Sequence, residues 1–231
     1  MLAGAASIAG ILALYYRPQL LARWLHWRSD DTVHYRVRTE EKLMALTIDD
    51  GPHHTATPAI LDLLAEYDAG ATFFIIGDHA RGNEGLLQRM VDEGYELGNH
   101  LMSDNRSLLL SQKEFASQLR QTHDILTPFG PVRWFRPGAG WYNRRMLRQV
   151  ETLDYELVLG SVYPYDAHLP NVQFMTNYIL GKAEPGAIII LHDGTAERGE
   201  RTLAVLEAVL PALHDRGYRV VSLSELMAVG E

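Results

Sequence analysis

The chain of 231 residues contains no cysteine. Structural disulfides, Cys-ligated zinc and thiol catalysis are excluded together. An oxidising compartment is compatible with this but not required by it. Basic charge is also scarce. Against 29 Asp and Glu stand 21 Lys and Arg, a formal net charge of −8, with no basic run anywhere. This argues against a nucleic-acid partner held through its phosphates. No internal repeat and no low-complexity stretch is present. The composition that remains, 47% hydrophobic and 22% charged, fits one globular domain of α/β-barrel size.

Charge is missing altogether from Met1 to Tyr16, which is rich in Ala, Ile and Leu. As a helix this run would measure roughly 24 Å, short of a ~30 Å hydrocarbon core. Arg17, Arg23 and Arg28 follow, with Trp24 and Trp27 between them, a basic and aromatic mixture typical of a membrane interface. Three readings compete: a short membrane anchor, an uncleaved signal-like segment, or an amphipathic helix lying on the domain. No basic n-region and no small-x-small site precedes the charges, against a removed signal peptide. Residues 1–30 are therefore read as a hydrophobic anchor, with membrane contact through residues 1–28. The expected location is membrane-anchored or in the cell envelope. Arginines C-terminal to the apolar run would by the positive-inside rule keep the domain in the cytoplasm, so the side of the membrane stays open. Residues 31–41 are polar and read as a linker into a domain over 42–231.

From Lys42 onward short apolar runs alternate with helix-length segments. Strands are predicted over Lys42–Ile48, Ala71–Ile76, Tyr95–Asn99, Arg133–Phe135, Tyr155–Val162, Ala187–Leu191 and Tyr218–Leu223. Helix signals lie between them. Thr57-Pro58 reads as an N-cap and first turn, Ser111 and Glu114 as a capping box, and Ser224 as a cap. Helices are also expected over Asn143–Thr152, Val172–Lys182 and Arg201–Arg216. Continuous apolar strands separated by helices imply parallel βαβ units with right-handed crossovers. A distorted (β/α) barrel of about seven parallel strands fits best, and a doubly wound open sheet is the alternative.

Such folds build their sites at the C-terminal ends of strands. The first strand ends in Asp49-Asp50, the third in His100 with Asp104 four residues on, and the fourth in Arg136-Pro137-Gly138-Ala139-Gly140. The fifth runs into Ser161, Tyr163 and Asp166, and the sixth ends in His192-Asp193. Asp50, His100 and Asp104 are oxygen and nitrogen donors suited to a divalent metal with open positions. The i, i+4 spacing would put His100 and Asp104 on one face of a helical turn. Asp49 is then the candidate base for an acidified water, and His192 the proton carrier for the leaving group. Arg136 could hold Asp49 ionised, and the Gly-rich turn after it could present a backbone N–H to an oxyanion. These are the parts of a metal-assisted hydrolysis of an amide or ester.

Thr47-Ile48-Asp49-Asp50-Gly51-Pro52 resembles the first signature of the polysaccharide deacetylases, the NodB-type domains of carbohydrate esterase family 4. Gly98-Asn99-His100, Arg136-Pro137 and Leu191-His192-Asp193 match the start of its second motif, its third and its fifth, and the resemblance covers about Lys42 to Leu226. It implies a distorted (β/α) barrel and removal of acetyl groups from an N-acetylated polysaccharide or oligosaccharide, chitin- or peptidoglycan-like. It also implies one divalent metal ion (zinc, or manganese, iron or cobalt) on Asp50 and His100. By the same resemblance Asp49 would be the base, held by Arg136, and His192 the acid.

Three departures stand out. Asp104 occupies the position where the family has a second histidine. A second carboxylate would cancel the metal's charge, so a shift toward harder metals such as manganese or iron is expected. Gly138-Ala139 stands where a proline and an aromatic are usual, leaving Ala139 a backbone N–H but no ring. The fourth motif is altered, with Asp166 expected to tune His192, and Tyr163, Tyr165 and Trp141 as replacement aromatic surface for sugar rings. His53, His54 and His79 fall outside the motifs and are read as surface residues. Two alternatives remain open: a hydrolase of a small non-sugar amide, and a membrane-tethered glycan-binding protein that has lost catalysis.

Overall fold

A computed structural model describes residues 33–230. The proposed anchor over residues 1–30 lies outside the described residues. Among those described, no helix is long and apolar enough to cross a membrane.

In chain order the strands are β1 (Val33–His34), β2 (Leu43–Asp49), β3 (Thr72–Ile75), β4 (Glu96–Asn99), β5 (Trp134–Phe135), β6 (Glu156–Val158), β7 (Ile188–His192) and β8 (Arg219–Val221). The helices between and after them are α1 (Ala56–Glu66), α2 (Gly77–Ala80), α3 (Glu84–Asp92), α4 (Gln112–Leu126), α5 (Arg144–Glu151), α6 (Val172–Gly181), α7 (Ala196–Asp215) and α8 (Leu223–Ala228). Every strand pairing is parallel, in the order β1-β6-β5-β4-β3-β2-β7, with β8 paired to the first half of β2. The sheet curls until Val162, just past β6, bridges in parallel to Ile189 of β7. The distorted (β/α) barrel expected from the sequence is therefore present, in the form of a curled half-barrel, and the open doubly wound alternative is not.

The period of two along β2 and β7 sorts their side chains. Met44, Leu46 and Ile48, with Ile189 and Leu191, face outward into a core shared with α1, α3 and α7. Ala45 and Ile188 face inward with Phe74, Trp134 and Val158, filling the barrel interior. By the same alternation Thr47, Asp49 and His192 point inward, at the C-terminal mouth. The two acids are thus split between faces at the outset: Asp49 continues the inner row, and Asp50 follows it in the left-handed region at φ 74°.

Several boundaries differ from expectation. The stretch read as a linker enters the sheet: β1 pairs with β6, and Val33, Tyr35 and Val37 are buried. Its polar neighbours hide a three-residue alternation that packs against Phe115, Met146 and Val221. The strand count among the described residues is therefore eight. Thr57 is not a cap, because its hydroxyl is buried, accepting from the His53 N–H at 2.8 Å and donating to Asp193. The capping box at Ser111 and Glu114 is present, whereas the last helix is capped by Ser222 with Glu225 rather than by Ser224. Helix α7 begins five residues before the expected Arg201, opened by Thr195, whose side chain accepts from the Arg198 N–H.

Candidate active site

Asp49 and His192 are register partners on adjacent strands, β2 and β7. Their side chains share the inner face of the mouth, one strand spacing of about 4.8 Å apart along the sheet. Each is held by a partner on the side away from the other. Arg136, buried just beyond β5, donates from Nη1 to Asp49 Oδ1 at 2.6 Å and to Thr47 Oγ1 at 2.7 Å. Its Nε donates to the Val158 carbonyl at 3.0 Å, and its guanidinium lies 4.1 Å over the Phe74 ring. Burial pushes the guanidinium pKa down, and the Asp49 charge works against that. This guanidinium holds the Asp49 carboxylate in position through a charge-assisted hydrogen bond.

His192 Nδ1 faces both oxygens of buried Asp166, at 2.9 and 3.0 Å. Burial alone would depress the imidazole pKa, but Asp166, helped by Asp49 and Asp50, more than offsets it and raises the value to about 9. The ring therefore carries a proton at neutral pH. The Tyr163 ring sits 6.0 Å from it, and the Tyr163 hydroxyl meets His168 Nδ1 at 3.0 Å.

His100 and Asp50 lie together beneath this pair. His100 Nδ1 donates to the Arg136 carbonyl at 2.7 Å, which turns Nε2 toward Asp50 Oδ1, 3.5 Å away. A histidine whose rear nitrogen is tied to a backbone carbonyl is oriented as a metal ligand usually is. Burial would raise the Asp50 carboxyl pKa, but His100, His192 and Arg198 hold it at about 2. The donor chemistry of the pair thus fits a divalent cation.

Asp104 does not join them. Leu101 takes a left-handed backbone (φ 64°), and the segment after it is a series of bends rather than a helical turn, so the expected i, i+4 face never forms. The Asp104 side chain is 59% exposed, and its charged neighbour is Arg198 Nη1 at 4.0 Å. Among the described residues no group of three His, Asp or Glu is arranged to hold a metal. Of the three residues expected to hold a metal, Asp50 and His100 stand side by side, and Asp104 faces Arg198.

The other expected residues are dispersed around the mouth. Ala139 is left-handed (φ 60°) in the turn Gly138–Gly140, and its N–H has no hydrogen-bond partner among the described residues. The adjacent Gly138 N–H is taken by Ser107 Oγ at 2.7 Å. Trp141 stands 68% exposed, while Trp134 is buried and bonds Glu96. Tyr165 is left-handed and stacks near Tyr163, ring centroids 5.2 Å apart. Four of the six non-glycine residues with positive φ, namely Asp50, Leu101, Ala139 and Tyr165, follow strand tips at this rim, where strain is concentrated in working sites.

Three participants were missed. Arg198, on the first turn of α7, donates from Nη1 to Asp50 Oδ2 at 2.8 Å. Starting the helix at Arg201 left it in a loop. His79, read as a surface residue, has Nδ1 at 2.6 Å from the Asp50 carbonyl and so supports the strained residue. Thr47, within the first signature, shares the inward parity of Asp49 and accepts from Arg136. Asp193 is fully buried, with Thr57 donating to it, and its carboxyl is pushed by burial to about 7. Gly51 is obligatory beside it, since a Cβ there would lie 2.5 Å from Asp193 Oδ1.

A carboxylate and an imidazole, each paired with its own counter-charge, share the mouth of a parallel α/β half-barrel, an arrangement suited to general acid–base hydrolysis. The family model for polysaccharide deacetylases matches residues 36–158. The peptidoglycan-N-acetylglucosamine deacetylase of Bacillus cereus is 36% identical over 199 residues, covering 84% of this chain and 92% of that protein. The crystal structure of the Bc1960 peptidoglycan N-acetylglucosamine deacetylase superposes with a TM-score of 0.82 at 26% identity, covering 89% of this chain and 97% of that one. A family 4 acetyl xylan esterase from Clostridium thermocellum, solved with a cobalt ion, superposes with a TM-score of 0.74 at 29% identity, covering 81% and 91%. The chain belongs to the polysaccharide deacetylase family. It is a polysaccharide deacetylase, a hydrolase of carbon–nitrogen bonds.

Proposed function

We propose that this enzyme removes acetyl groups from N-acetylglucosamine units of a peptidoglycan- or chitin-like glycan at the cell envelope. The observation that carries the reading is the register pairing of Asp49 with His192, each backed by its own counter-charge. Asp49 accepts a proton from water as the water oxygen bonds to the acyl carbon. The Ala139 N–H receives the oxygen on which negative charge gathers. His192 gives the proton on Nε2 to the sugar nitrogen as the carbon–nitrogen bond breaks, leaving a free amine and acetate. A divalent cation on Asp50 and His100 would acidify the water and polarise the acyl oxygen. Tyr163, Tyr165 and Trp141 offer ring faces for the sugars next to the reacting one.

The substrate class is supported by the relatives' peptidoglycan chemistry, and the uncharged run Met1–Tyr16 supports a tether to the membrane. The test is acetate release by residues 31–231 from peptidoglycan fragments, chito-oligosaccharides and acetylated xylan. Release from the first two, lost in Asp49→Asn and in His192→Ala, is the expected result. Turnover in both variants matching the parent would overturn the assignment of base and acid. Release from xylan alone would overturn the substrate class.

A further inference from the structure

Arg198 lies where a cation is wanted. Its Nη1 donates to Asp50 Oδ2 at 2.8 Å, while Asp50 Oδ1 is the oxygen facing His100 Nε2 at 3.5 Å. Asp50 is buried, and a buried carboxylate without a positive partner is costly. The same nitrogen of Arg198 is 4.0 Å from Oδ2 of Asp104, an exposed carboxylate. Arg198 itself is 27% exposed and sits on the first turn of a long helix. Asp104 is thus the second carboxylate within reach of the guanidinium that pairs with Asp50. The geometry assigns a role to the unusual aspartate as well as to the arginine.

We propose that Arg198 is a built-in competitor for the metal position on Asp50, and that Asp104 is the acceptor to which its guanidinium moves when a divalent cation binds. The inference rests on Asp50 and His100 being metal donors and is independent of the substrate. Asp104 then serves the arginine rather than the metal. Binding exchanges one cation for another on Asp50, so the site responds to the free concentration of divalent ion instead of holding it permanently. A second carboxylate outside the donor pair is useful for this exchange, because it keeps the displaced guanidinium paired.

The test is a double-mutant cycle on the full chain, with zinc, manganese and cobalt affinities measured calorimetrically in the absence of any glycan. Arg198→Gln is expected to tighten binding by at least about tenfold, corresponding to ~1.4 kcal/mol, and Arg198→Lys to leave it near the parent value. Asp104→Asn should weaken binding in the parent and have no effect in the Arg198→Gln background. Equal affinity in parent and Arg198→Gln would overturn the competition while leaving the donor pair standing. Weakening by Asp104→Asn in both backgrounds would make Asp104 a ligand and overturn the proposal. No binding by any variant would overturn the donor pair, and the competition with it.

Discussion

One nitrogen of Arg136, Nη1, bonds both Thr47 Oγ1 and Asp49 Oδ1, two residues on the same face of β2. The Thr47 hydroxyl in turn donates a hydrogen bond to the Ile189 carbonyl of β7 at 2.5 Å. Through Arg136 and Thr47 the base on β2 is thus tied to β7, the strand that carries His192. Removing Arg136 leaves a buried, unpaired carboxylate, so Arg136→Met should cost about 3–5 kcal/mol of stability. Chemical denaturation is the measurement, and a loss below ~1 kcal/mol would contradict the pairing.

Asp49→Asn keeps the shape but not the proton acceptor. The expected outcome is a drop in kcat of about 10²–10⁴-fold with KM little changed. Steady-state kinetics on a soluble N-acetylated oligosaccharide measures both.

The His192–Asp166 pair makes stability depend on pH. The folded imidazole pKa, about 9, is raised above the ordinary 6.5, so the folded state binds the proton more tightly than the unfolded one. The stabilisation is complete below the ordinary value and disappears as pH rises through the folded one. The advantage in Tm of the parent over Asp166→Asn should therefore shrink between roughly pH 6 and roughly pH 10. The acid is lost over the same upper range, so kcat should decline above about pH 9.

How much of this was legible in the sequence depended on whether a signal was local. The alternation of apolar runs with helices foretold β2 to β8, and strand-tip chemistry located Asp49, Asp50, His100, Arg136, Asp166 and His192. Asp104 misled because the i, i+4 rule presumes a helix, and Leu101 takes a left-handed backbone instead. Arg198 was hidden because the start of α7 has no apolar face before residue 202, so periodicity began too late. β1 is only two residues long, below the length at which alternation can be read.

That short strand makes truncation informative. A chain beginning at residue 31 keeps Val33, Tyr35 and Val37 in place, whereas one beginning at residue 42 exposes the surfaces they cover. Full burial of such side chains contributes about 1.5–3 kcal/mol each. The shorter chain should melt markedly lower or aggregate, while the longer one should fold, as circular dichroism would show.

Gly51→Ala is expected to cost about 1–3 kcal/mol through crowding against Asp193. It should also lower activity by displacing the turn that follows Asp50. Thermal melts and kinetics on the same preparation separate the two effects.

β2 pairs with β7 along one edge and with both β3 and β8 along the other. A strand bonded to three others cannot fray without undoing the sheet, so its amides should exchange with solvent only through global unfolding. The loops carrying Asp104, Ala139 and Tyr163 have no such restraint and should exchange by small local openings. Asp49 and His192 therefore sit on the most heavily bonded part of the sheet. Changes of substrate can accumulate around the rim while the reacting groups keep their positions.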